Sequence, residues 1–362
     1  MKCKAVTNGI VFRNNGTIVP CCVFQPSKQW TQTIDMRHIK SVDNYYRSHQ
    51  LKLLNDDFRK DYKNPQCKSC WQLEETGAAS WRQICNSQLP DSPEGKDMLV
   101  EVRLGNVCNF RCYTCSPTSS SKIQKDWLTL ADGTLFKEIT IKDWTKDEHN
   151  VKVVKEFLSR AKRISFMGGE PFLNKQLLHY LSPLVGDTNI EEISITTNGS
   201  FVPFNLLVEN FSNLLLTFSI DAIDNLSEYV RFESSWLAVK ANFEESIRRG
   251  IRTHVGLTLS LYNLFALPET LKYINSQKPN YIHFNFVNEP DFMSISQLPP
   301  YLMQKAIDML HTLDKNINIE HALSIVGSKY TPEKYKQFLE YTEKLDSLRG
   351  VSLSTFVPQY YI

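Results

Sequence analysis

Residues 98–115 read MLVEVRLGNVCNFRCYTC, a β-branched and apolar run followed at once by three cysteines. The run MLVEVRL has strand composition, and Gly105-Asn106 closes it as a turn. Cys108, Cys112 and Cys115 then fall at i, i+4 and i+7, so on a helix the three thiols would share one face and pack into a core. Their place directly after a strand favours a loop instead. Working outward, the same rhythm repeats. The runs RISFM (163–167), EEISITT (191–197), LLLTFSI (214–220), THVGLTLSL (253–261) and YIHFNFV (281–287) alternate with amphipathic stretches. In one of these, VKVVKEFLSR (151–160), Val151, Val154, Phe157 and Leu158 line a single helical face. Strands alternating with helices predict an α/β fold with a parallel sheet and crossover helices, and six such strands suit an open, partial (β/α)6 barrel. Barrels of this kind carry their chemistry on the loops at the C-terminal ends of the strands.

The rest of the chain bounds what that chemistry is. It has 362 residues, 42% hydrophobic and 22% charged, with a formal charge of +2, so bulk electrostatics give no case for a nucleic-acid or membrane partner. The first residues, MKCKAVTNGIVFRNNG, show no apolar signal region, and no apolar run is long enough for a membrane span, so a cytoplasmic location is expected. In a reducing compartment the nine cysteines read as metal ligands or buried thiols rather than disulfides. They lie at 3, 21, 22, 67, 70, 85, 108, 112 and 115, and none follows, so cysteine-held metal chemistry belongs to the first third. Structural zinc takes four ligands, and neither a histidine nor a fourth cysteine stands near Cys108–Cys115. Three thiolates fit a cubane iron–sulfur cluster with one iron left open.

The later strands add two further turns. The second strand ends RISFMGGEPF, with Gly168, Gly169 and Glu170 at the turn: glycines let backbone approach a ligand, and a carboxylate accepts from an ammonium group. The third ends in Thr197-Asn198-Gly199. CNFRCYTC, GGEP and TNG, in that order on successive strands, resemble the radical S-adenosylmethionine (SAM) superfamily. That family often has an aromatic residue just before its third cysteine, whereas here Thr114 holds the place and Tyr113 precedes it. The resemblance implies that Cys108, Cys112 and Cys115 ligate a 4Fe–4S cluster whose open iron binds the amino and carboxylate groups of SAM. It implies that Gly168, Gly169 and Glu170 hold the SAM amino group, and that Thr197 and Asn198 lie near its ribose and methionine parts. On the fourth strand, Ser219 and Asp221 sit at the end, and Arg231 can pair with the SAM carboxylate or be an ordinary surface arginine. Ser260 and Asn263 on the fifth strand, and Asn285 and Asn288 on the sixth, are weaker candidates, and His283 reads as a satisfied core residue.

Residues 1–90 have no βαβ rhythm. NGIVF, the turn RNNG and TIVPCC suggest a hairpin within 8–23, a helix follows around 43–62, and QLPDSPEGKD (88–97) reads as a linker. Cys3, Cys21, Cys67 and Cys70 supply four separated thiolates, for a zinc knuckle or a second iron–sulfur cluster. The segment resembles the twitch/SPASM auxiliary-cluster module of radical SAM enzymes, including the pattern Glu74, Gly77, Ser80, Arg82, though in better-known members the module follows the barrel. That resemblance implies one auxiliary 4Fe–4S cluster, with Cys21 or Cys22 as a ligand. Cys85 reads as a buried hydrophobe. The division expected is an auxiliary-cluster domain over 1–90, the barrel over 91–297 and a helical extension over 298–362.

As the resemblance has it, the reduced cluster cleaves SAM to a 5′-deoxyadenosyl radical that takes a hydrogen atom from a substrate. A reductant such as flavodoxin or ferredoxin would supply the electron. The substrate is a peptide or protein undergoing net oxidation or crosslinking, or a small molecule such as a sugar, aminocyclitol or nucleotide undergoing dehydrogenation or epimerisation. No residue is assigned a catalytic role. The reading outside enzymes is a zinc-stapled α/β binding protein in which GGEP is a plain turn.

Overall fold

The structure is a computed structural model that describes residues 1–75, 77, 79–130 and 143–361. Its strands are β1 (Gly9–Phe12), β2 (Ile18–Val19), β3 (Met98–Arg103), β4 (Ala161–Met167), β5 (Glu192–Thr197), β6 (Leu214–Ser219), β7 (Arg252–Leu259) and β8 (Tyr281–Phe286). They form one sheet in the order β2-β1-β3-β4-β5-β6-β7-β8. The fold is α/β with a mostly parallel sheet: β1–β3, β3–β4, β4–β5 and β7–β8 are parallel ladders and β1–β2 is antiparallel. All six strands read from the sequence are present as β3 to β8, in chain order. Their β-branched and apolar residues explain this. Val100, Val102, Ile164, Phe166, Ile193, Ile195, Leu216, Phe218, Val255 and Leu257 are all buried, each contributing roughly 2 kcal/mol by leaving water.

Backbone contacts divide the chain into two units. The first comprises Met1–Val107, Thr140–Thr196 and Asn205–Leu215. Here the hairpin expected near the N-terminus exists, but β1 also pairs in parallel with β3, from Gly9 opposite Leu99 to Phe12 opposite Val102. The first ninety residues therefore extend the sheet, and the unit does not end at the proline-rich segment 88–97. Ile10, Val11 and Phe12 are all buried there, which a two-stranded hairpin on its own does not achieve. The helix expected over 43–62 is two, Val42–Tyr46 and His49–Arg59, with Ser41 and Ser48 as their N-cap residues.

The second unit comprises Cys108–Ile139, Thr197–Phe204 and Leu216–Ile362. Its longest helix, Pro332–Arg349, starts on Thr331, whose side chain accepts from the Lys334 N–H, has Pro332 at its first position, and stops at Gly350, where φ is 67°. Tyr335, Phe338, Tyr341, Thr342, Leu345 and Asp346 make its buried face. At the sheet's last strand, Asn318 caps the open margin: its amide donates to the Ile282 carbonyl at 3.3 Å and accepts from the Phe284 N–H at 3.4 Å. No helix among the described residues is long and apolar enough to cross a membrane.

Candidate functional site

The three-cysteine segment is not a helix. No regular structure runs from Leu104 to Ser116, so the thiols do not form a helical face. Backbone bonds to neighbouring carbonyls shape it instead: Arg111 N–H donates to Phe232 at 2.9 Å, Tyr113 to Val230 at 2.9 Å, and Cys115 to Cys112 at 3.2 Å. Burial pushes the Cys112 thiol up to about 11, against the pull of the Arg231 guanidinium, with Cys108 raising it further. Burial also drives Cys115 upward, followed by Cys112 and Cys108. Burial and the neighbouring thiols thus disfavour the thiolate at Cys112 and at Cys115, and a cation beside them would oppose this.

The TNG turn closes on this segment within the same unit. Asn198 donates from Nδ2 to the Cys108 sulfur at 3.8 Å and to Asn109 Oδ1 at 2.8 Å, while Asn109 donates to Ser200 Oγ at 3.0 Å. Thr197 Oγ1 accepts from the Gly199 N–H at 3.1 Å, and Asn242 donates to the Gly199 carbonyl at 2.8 Å. Gly199 adopts φ 75°, and a Cβ there would press on Phe218. Asn109 is a residue the sequence reading did not single out. Its position inside the cysteine motif was the available signal.

Asp221 and Arg231 are brought together, at 2.7 Å. Asp221 also accepts from the Thr258 N–H at 2.7 Å, and its carbonyl accepts from Asn263 at 2.7 Å. Arg231 is therefore no surface arginine. Its burial opposes the charge, but Cys112 and Asp221 outweigh it and hold the guanidinium's pKa above its ordinary value. Asn263 and Ser260 bond each other and belong to this buried network. Ser219 is half-buried at the end of β6. His283 is half-buried and stacks on Tyr281, and burial lowers its pKa, in keeping with a packed neutral ring. Asn285 and Asn288 are exposed.

In the first unit, GGEP ends β4. Gly168 and Gly169 adopt φ 90° and 56°, in the left-handed region. A Cβ on Gly169 would strike the Val107 carbonyl, and one on Gly168 would strike Asn14 and the Gly105 carbonyl. The glycines thus admit the chain's own segment. Glu170 is fully buried, its N–H donates to the Val107 carbonyl at 2.8 Å, and its carboxylate accepts from the Phe172 N–H at 3.2 Å. Val107 is bonded covalently to Cys108, so the turn is anchored to the residue that leads into the cysteine segment.

A second thiol group lies in this unit. Cys3, Cys21, Cys67 and Cys70 line a single cavity with Phe24, Trp71, Trp81 and Arg82. Burial pushes Cys3 up to about 11 and raises Cys21 and Cys67 as well, with neighbouring thiols raising each of these three further. Cys22 is outside this lining, with Glu101 and Arg103 as its charged neighbours, and Cys85 packs with Ala5 and Leu89. The Glu74–Arg82 pattern resolves into a knot. Arg82 donates to both oxygens of Glu74, at 2.9 and 2.7 Å, Ser80 donates to Glu74, and Ser80 with Gln83 forms a capping box for the helix Trp81–Gln88. Arg82 also donates to the Lys2 carbonyl at 2.8 Å and stands over the Trp71 ring. It thereby joins the helix of Cys70 to the segment of Cys3. Among the described residues, no three His, Cys, Asp or Glu side chains close on one point as they would around a bound ion.

Residues 102–274 match the family model described as the Radical SAM superfamily. Two curated relatives align with the chain. The molybdenum cofactor biosynthesis protein moc-5 of Caenorhabditis elegans is 21% identical over 52% of this chain and 29% of its own. The GTP 3′,8-cyclase of Pasteurella multocida is 27% identical over 33% of this chain and 31% of its own. The chain thus spans less than a third of either relative. Among solved structures, native anSMEcpe with bound AdoMet superposes with a TM-score of 0.43 and 17% identity, over 70% of this chain and 62% of that one. SuiB of Streptococcus suis bound to precursor peptide SuiA superposes at 0.41 and 13%, over 62% and 48%.

Proposed function

We propose that the chain is a radical SAM enzyme in which Cys108, Cys112 and Cys115 hold a 4Fe–4S cluster with one iron left open. The observation that carries this is the cysteine segment itself: an irregular loop after β3, inside the matched residues, with an amide N–H already on one sulfur. When bound, the cluster and SAM supply reductive cleavage of the sulfonium and a hydrogen-abstracting radical. The protein's part is binding and orientation. Glu170, with Gly168 and Gly169 shaping its turn, receives the SAM ammonium, and Thr197 and Asn198 order the side of the loop that carries Cys108. Ser219 and Asp221 complete the strand ends. Arg231 holds positive charge beside Cys112, which favours thiolate over thiol.

The second part of the reading is an auxiliary 4Fe–4S cluster on Cys3, Cys21, Cys67 and Cys70, supported by the one cavity that all four line; Cys21 rather than Cys22 is the ligand. Four cysteine ligands would leave such a cluster no open iron, so when bound it would supply an electron acceptor rather than a substrate ligand. We take the reaction to be a net oxidation or crosslink of a peptide or protein, with flavodoxin or ferredoxin as reductant. The small-molecule reading draws its support from the similarity to GTP 3′,8-cyclase. Anaerobic purification and reconstitution, then dithionite and SAM, test the core of the proposal. Brown protein that releases 5′-deoxyadenosine is expected, with release lost in Cys112→Ala. Colourless protein containing zinc would support the binding-protein reading instead.

A further inference from the structure

The helix Pro332–Arg349 lies outside the matched domain, yet two of its charged side chains reach the cysteine segment. Tyr113, between Cys112 and Cys115, is fully buried, stacks on Tyr229 with centroids 4.5 Å apart, and donates its hydroxyl to Asp346. Tyr229 donates to the same carboxylate oxygen at 2.8 Å, and the other oxygen takes the Leu353 N–H at 2.7 Å. One turn on, Arg349 has no exposed side-chain surface and lies 4.4 Å over the Tyr113 ring. Its fork donates to Asp126 Oδ2 at 3.0 and 2.6 Å, and the other Asp126 oxygen takes Arg111 at 2.7 Å. Both side chains that flank Cys112 in sequence, Arg111 and Tyr113, are thus tied to one helix. Apolar residues would fill this space without the cost of dehydrating an ion pair, whereas charged partners fix geometry.

We propose that the helix Pro332–Arg349 is the positioning element of the three-cysteine loop, with Asp346 and Arg349 as positioning residues that hold Cys112 and Cys115 in place for the cluster. The cluster clause rests on the function proposed above, but the positioning of the thiols does not.

The test is the alkylation rate of individual cysteines in the metal-free full-length chain, read by mass spectrometry with iodoacetamide as probe. Cys85, buried in the other unit, is the internal reference. In Arg349→Gln and in the near-isosteric Asp346→Asn, Cys112 is expected to react faster by about fivefold or more, the factor given by roughly 1 kcal/mol of lost order, while Cys85 keeps its wild-type rate. Arg349→Lys, which keeps the charge but not the fork, is expected to fall between. Unchanged Cys112 labelling in both variants, equal acceleration of Cys112 and Cys85, or equally accelerated hydrogen exchange of the strand Arg252–Leu259, which shares the second unit with Cys112, overturns the proposal, because destabilisation of the chain or of that unit moves them together. Should Arg349→Gln not fold, Asp346→Asn decides by the same ratio. In reconstituted protein, the same variants are expected to lose iron to EDTA several-fold faster than wild type. Wild-type protein that takes up no iron overturns the cluster reading, while the labelling ratio still decides the positioning.

Discussion

Asn198 illustrates how much a single amide can do. Its N–H to the Cys108 sulfur is the kind of contact that sets cluster potential, since hydrogen bonds to ligating sulfur stabilise the reduced, more negative form. Asn198→Ala is therefore expected to keep its iron and move the cluster's midpoint potential downward in an EPR-monitored redox titration. An unchanged potential would remove Asn198 from that role. Gly169 poses a different demand. A side chain there meets both a left-handed backbone and the Val107 carbonyl, so Gly169→Ala should cost about 2 kcal/mol or more, seen as a lowered melting temperature of the metal-free protein. The GGEP and TNG turns were legible in the sequence because they follow the cysteine segment in order at the ends of successive strand-like runs. What the glycines make room for was not legible. Only the folded chain shows that Val107 and Gly105 fill the space.

Among elements, the pair of helices that carry Cys70 and Arg82 depends on Glu74. The surrounding burial would raise the Glu74 pKa, but Arg82 and Ser80 outweigh it and hold the carboxyl below 4.5. A depressed carboxyl pKa contributes stability that is present above the unfolded value and lost as pH falls through the folded one. Glu74→Gln should thus be destabilised by about 2 kcal/mol at neutral pH. Its melting temperature should converge on that of wild type as pH drops below 4.5. A gap that stays constant with pH would assign the knot no ionic part. The sequence showed Glu74, Gly77, Ser80 and Arg82 only as a pattern resembling the auxiliary-cluster module, and the pairing of Glu74 with Arg82 was not legible because the two lie on successive helices. The C-terminal helix was visible too, but its role was not. A clue was there: Asp346 and Arg349 fall on the same i, i+3, i+4, i+7 stripe as Tyr335, Phe338, Tyr341 and Leu345, and charges within an apolar stripe ask for buried partners.

For the whole molecule, the alternation of runs and amphipathic stretches foretold β3 to β8 in order, because each strand's composition is local information. The pairing of β1 with β3 was not foretold, since register between segments some ninety residues apart leaves no trace in either one. That pairing joins the N-terminal segment to the sheet, and the auxiliary cluster proposed on its thiols has a countable signature. Wild-type reconstituted protein is expected to hold about eight irons and Cys67→Ala/Cys70→Ala about four, at four per cubane. The double variant should still release 5′-deoxyadenosine without turning over substrate. A variant that does not fold would instead make the cluster structural. The other end of the sheet has its own consequence. A strand margin with free amide and carbonyl groups is a template on which identical chains stack, and here one carboxamide mimics the missing neighbour. Asn318→Ala should leave each molecule folded but sociable, so that light scattering grows with concentration on storage while dilute samples stay clear.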